Sequence, residues 1–168
     1  MHYTDIIQDE ANRALWEVNN VIRCIPNSLW NKLYCGMPLW KHVYHMLHSL
    51  DQWYINPRIY EHPPFHTENL NNLDIPTDTQ LTCEELQAYF DNVQHKITAY
   101  NQSLTDDLLL QKPENCEWLR FELILAQHRH LHSHMGMIMG FIIADTGLWP
   151  RVLGLTKSIP DGEYGTYM

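Results

Sequence analysis

Ile7, Ala11, Ala14, Val18, Val21 and Ile25 recur at alternating steps of four and three, the spacing that gathers apolar side chains on one helical face. This predicts a first helix over residues 4–23. Pro26 stops it, because its ring would remove a hydrogen bond and collide with the preceding turn. A short turn with Asn27, Cys35 and Gly36 follows, and Pro38 sits where a first-turn proline is tolerated. Leu39, Val43, Met46, Leu50 and Trp53 mark a second helix that ends before Pro57. Residues 56–81 change to Pro, Asn, Asp and Thr, with Pro63-Pro64, Asn71-Asn72 and Pro76 as breaks, and predict a long connection. Thr82 and Glu85 have the spacing of a capping box, and Leu86, Tyr89, Phe90, Val93, Ile97 and Tyr100 continue as a third helix. Residues 105–115 connect it to the longest helix, 117–145, closed by Gly147 and Pro150. Glu114, Glu117 and Glu122 gather at its start, where acidic side chains suit the helix dipole. No segment alternates with period two and no repeat is present. The pattern predicts an all-α fold, a four-helix bundle with a long connection between helices two and three, in one domain over 1–168 with a tail from 146 to 168. An irregular all-α arrangement is the alternative.

Composition narrows the function. The chain has 168 residues, 45% of them hydrophobic, enough for a core without staples. Its 20 acidic and 11 basic side chains give a net charge of −9, the wrong sign for a surface that follows phosphates, so no nucleic-acid partner is expected. Cys24, Cys35, Cys83 and Cys116 form no CxxC pair and are expected to be buried thiols. The apolar run over 135–144 is too short for a bilayer span, and the N-terminus shows no basic-then-apolar leader. A cytoplasmic protein without a membrane partner is the expectation.

Histidine is out of proportion: 11 residues, unevenly spread. His42, His45 and His48 fall in the second helix, and His128, His130, His132 and His134 in the fourth. Imidazole is the commonest protein ligand for late transition metals, and bundle cores build metal sites from facing helices. Histidines four apart on a helix can share one ion, and the fourth helix offers two such pairs, His128 with His132 and His130 with His134. At about 100° per residue the pairs flank the core direction on opposite sides. Spacing does not choose between them, nor between a metal site and a set of polar surface or pH-sensitive core histidines. His2, His62, His66 and His95 read as isolated polar side chains. No GxGxxG, Walker loop, GxSxG or HExxH is present, and no cysteine has a neighbour that marks it as a nucleophile. Gly136 and Gly140 form a GxxxG that predicts a close helix approach.

The stretch from Pro38 through His45 to Trp53 resembles the histidine-bearing second helix of the DinB-like family. Arg129-His130-Leu131-His132-Ser133-His134-Met135-Gly136 resembles the family's HxxxHxG signature. Met137 stands where members often carry a glutamine. The resemblance implies a bundle, often a homodimer, holding one divalent metal ion, zinc or nickel, on three histidines. Carried over, these are His45, His130 and His134, with His45 chosen because it precedes Trp53 by eight residues. The resemblance also implies transfer of a low-molecular-weight thiol to a small electrophilic substrate, with aromatics such as Trp40 or Trp53 shaping the pocket. A metal-binding bundle without turnover, or a hydrolase, is the alternative.

Overall fold

The structure is a computed structural model that describes residues 2–168. Among these, the chain is mostly helical, with six helices and one two-stranded sheet. Helix α1 (Tyr3–Arg23) buries Ala11, Ala14, Val18 and Val21 from its predicted seam, with Ile25 buried just beyond its end. The segment read as a plain turn contains more structure. It holds a one-turn helix, α2 (Asn27–Trp30), and a hairpin of β1 (Leu33–Tyr34) and β2 (Met37–Pro38). Cys35 (φ 53) and Gly36 (φ 85) form the two-residue loop, and two positive φ angles match the right-handed twist of a tight hairpin. Two-residue strands are too short to show alternation in sequence. Pro38 lies one residue outside the next helix as its N-cap.

Helix α3 (Leu39–Trp53) is buried along most of its length, packing against both α4 (Cys83–Ser103) and α6 (Arg120–Thr146), while α1 packs on α4 and α6. Thr82 and Glu85 start α4 as a reciprocal pair: Thr82 N–H donates to Glu85 Oε2 at 2.8 Å and Glu85 N–H to Thr82 Oγ1 at 3.1 Å. A one-turn helix, α5 (Asp106–Leu109), interrupts the segment expected to be a simple connection, capped by Thr105. Helix α6 starts three residues later than predicted, where Glu122 Oε2 accepts the Leu119 N–H. Gly147, at φ 71, closes it by donating its N–H to the Ile143 carbonyl.

Val18, Ile22, Leu39, Val43, Leu47, Phe90, Val93, Ile138 and Ile142 lie in one continuous core. Each fully buried side chain of this kind contributes about 1.5–3 kcal/mol. The segment between α3 and α4 has no regular helix or strand and is anchored by fully buried Leu70. The tail packs along α1: Asn20 bonds to Arg151 and Thr166, Glu17 accepts the Leu153 N–H, and Arg13 donates to the Gly154 and Lys157 carbonyls.

Two expectations need correction. Gly136 and Gly140 are exposed, with open space where a Cβ would stand, so no helix approaches them. Their positions on α6 face away from the stripe of Leu131, Met135, Ile138 and Ile142 that meets the core. Of the free cysteines, Cys24 and Cys116 are buried but Cys35 is exposed, because the hairpin loop carries it into solvent. No helix among the described residues is long and apolar enough to cross a membrane.

Candidate metal centre

Helices α3 and α6 pack side by side, and this places His45 opposite His130 and His134. His130 and His134 are four apart, so one helical turn stacks them, with ring centroids 4.4 Å apart. His45 lies 4.5 Å from His134 and 5.6 Å from His130, centroid to centroid. One ring nitrogen from each of the three lies within 4.8 Å of the others. Nitrogens sharing a tetrahedral zinc at 2.0–2.1 Å stand roughly 3.3 Å apart. Small side-chain rotations therefore suffice to close the triad on one ion.

A hydrogen bond prepares His45 for that role, and burial prepares the other two rings. His45 Nδ1–H donates to the Asn71 carbonyl at 2.7 Å, which fixes the tautomer and leaves the Nε2 lone pair free. The Nδ1 atoms of His130 and His134 are buried without a hydrogen-bond partner in the protein. Burial lowers the pKa of His130, and the neighbouring His45 and Arg129 lower it further. Burial, with His45 and His130 nearby, pushes His134 down to about 4. Both stay neutral at physiological pH, the form in which imidazole binds a metal. Next along the interface, Ser49 on α3 bonds Gln127 on α6 at 3.4 Å.

The remaining clustered histidines separate by position. His42 is buried, its Nε2–H donating to the Tyr34 carbonyl at 2.9 Å and its ring edge-on to Phe141. It ties α3 to the hairpin. His128 and His132 lie on the α1 side of α6, their rings 4.3 Å apart and tilted by 44°, with His132 Nδ1–H donating to the His128 carbonyl. His132 also lies 3.8 Å from Glu17. A cavity of about 200 Å³, walled by Ile6, Ala11, Tyr54, Phe121 and Ile124, opens beside His128. Another, of about 420 Å³, opens beside His132 between Arg13, Glu17 and the tail at Leu153. Of the aromatics expected near the metal, Trp40 is buried in the core and Trp53 packs edge-on against Trp118 at 5.7 Å.

A second histidine cluster overturns the reading of His62 and His66 as isolated side chains. The connection folds both onto His48 of α3, and again one nitrogen of each lies within 4.8 Å of the others. His48 precedes His62 by 14 residues across a connection without a periodic pattern, so helical spacing gave no sign of the cluster. His2 and His95 are exposed, His2 bonding Asp106. Among the described residues there are therefore two histidine triads that could hold a metal ion. The chain has no significant match among protein-family models, curated proteins or solved structures.

Proposed function

We propose that this chain is a DinB-like metal-binding protein, a four-helix bundle of α1, α3, α4 and α6. In this reading His45, His130 and His134 hold one divalent ion, zinc or nickel, and the protein joins a low-molecular-weight thiol to a small electrophile. The observation that carries it is the convergence of three imidazoles from two facing helices, without a carboxylate or thiolate in the group. Three nitrogen ligands leave a position open for water or substrate, the pattern of catalytic rather than structural zinc sites. A bound ion supplies Lewis-acid chemistry that lowers the pKa of a thiol or water.

The chain's own residues do the positioning. Packing of α3 on α6 holds the rings together, and the Asn71 carbonyl orients His45. Burial keeps His130 and His134 unprotonated and ready to donate electron pairs. The resemblance of the His45 and HxxxHxG segments supports the family assignment, and with it a cytoplasmic homodimer; the charge of −9 supports a small-molecule rather than a nucleic-acid partner.

A metal-binding bundle without turnover is the second reading. It is favoured by the placement of the cavities beside His128 and His132, on the other flank of α6 from the triad. Protein loaded with zinc or nickel is tested for conjugating glutathione, bacillithiol or mycothiol to a generic electrophile. The transferase reading predicts turnover that His134→Ala abolishes; absence of turnover with every thiol refutes it and leaves the binding reading.

A further inference from the structure

We propose that His48, His62 and His66 form a second site for a divalent transition-metal ion, which fastens the connection between α3 and α4 onto α3. The site shares no ligand with the first triad. His48 comes from α3, one turn beyond His45, and is 1% exposed. His62 and His66 come from the connection, their rings stacked 4.0 Å apart and nearly parallel at 7°. His62 is exposed and His66 half-buried, so the cluster runs from the core to solvent. An ion can enter from the His62 side and keep water on its open positions.

The bonding at the cluster fits three ligands better than three bystanders. His48 Nε2 and His62 Nδ1 face each other at 3.0 Å, one ring donating its N–H to the lone pair of the other, and this separation is close to the roughly 3.3 Å between two nitrogens on one tetrahedral zinc. With the donor ring's proton moved to its other ring nitrogen, both lone pairs face a single divalent ion. His66 Nδ1–H donates to the buried Tyr44 hydroxyl oxygen at 2.7 Å, which leaves Nε2 as its ligand atom and fixes the ring, the outer partner that metal-bound histidines ordinarily have. The Tyr60 ring stands edge-on to His48 at 84° and to His62 at 80°, walling one side. Three imidazoles without a carboxylate select a zinc-, nickel-, cobalt- or copper-like ion over calcium or magnesium.

The site also answers a need of the fold. The connection carries no regular element, yet it must present the Asn71 carbonyl to His45. A metal bridge from α3 to His62 and His66 ties down the stretch just before Asn71.

Zinc is the probe. Protein dialysed against zinc and then a weak chelator is analysed for metal-to-protein ratio, and the connection is probed by limited proteolysis. His48→Ala risks unfolding, so the variants are His62→Ala and His66→Ala at the outer end, with His130→Ala removing the first triad. The proposal predicts two ions in wild type and one in each variant, with zinc protecting residues 56–81 from cleavage in His130→Ala but not in His62→Ala. A zinc content unchanged by His62→Ala and His66→Ala, with unchanged cleavage, overturns it. If His62→Ala loses one ion while His130→Ala loses none, the second site stands and the first triad falls.

Discussion

Asn20 joins the tail to α1, and its replacement by alanine is a sharp test of how the C-terminal segment is held. The residue is fully buried. Its Nδ2 donates to the Arg151 carbonyl at 2.9 Å and the Thr166 carbonyl at 3.0 Å, while Oδ1 accepts from Thr166 N–H at 2.9 Å and Thr166 Oγ1 at 3.3 Å. Hydrogen bonds of this type each contribute about 0.5–1.5 kcal/mol net, and a partner left buried and unpaired costs more. Arg151 and Thr166 are only half-buried, so water can reach the abandoned groups and limit that penalty. Asn20→Ala is therefore expected to destabilise the docked tail by about 3 kcal/mol. Tail release need not unfold the helices, so the two assays are urea unfolding followed by circular dichroism and hydrogen exchange of the Thr166 amide. The amide is expected to exchange about 100-fold faster, at 1.4 kcal/mol for each factor of ten. An unchanged exchange rate together with a stability loss below about 0.5 kcal/mol would refute the reasoning.

Gly140→Ala is expected to stabilise the protein by about 0.5–1 kcal/mol, since alanine restricts the unfolded chain, favours helix and meets open space at this position; thermal melting that shows a loss would mean another surface covers the glycine. In metal-free protein, burial holds His42 below its ordinary value of 6.5. Above that pH the ring is neutral in both states. Below it the unfolded chain takes up a proton that the folded chain refuses, so stability falls with acid by up to about 1.4 kcal/mol per pH unit. Urea midpoints measured between pH 7 and 5 are expected to fall less steeply in His42→Asn than in wild type, and identical slopes would contradict the assignment.

The long helices were legible because their apolar positions repeat over many turns and their ends carry local chemistry. The Thr82–Glu85 box and the Gly147 cap fall at the ends their residues predict. The short elements were not legible. A four-residue helix at Asn27–Trp30 or Asp106–Leu109 spans about one turn, too little for a period to emerge, and the two-residue strands are shorter still. The structure brings His45, His130 and His134 together, but helical phase alone had left the pairs on α6 equivalent; what separates them is which neighbour each flank meets, α3 on one side and α1 on the other. His62 and His66 lay beyond sequence reasoning because their proximity to His48 depends on the path of an aperiodic connection.

The central claim is that His45, His130 and His134 bind one metal ion together. Elemental analysis of zinc-loaded protein tests it directly, comparing wild type with His45→Ala, His130→Ala, His134→Ala, His128→Ala and His132→Ala. The account predicts that each of the first three loses one ion relative to wild type while the last two lose none. Full retention in His130→Ala and His134→Ala, or loss in His128→Ala and His132→Ala instead, would contradict it.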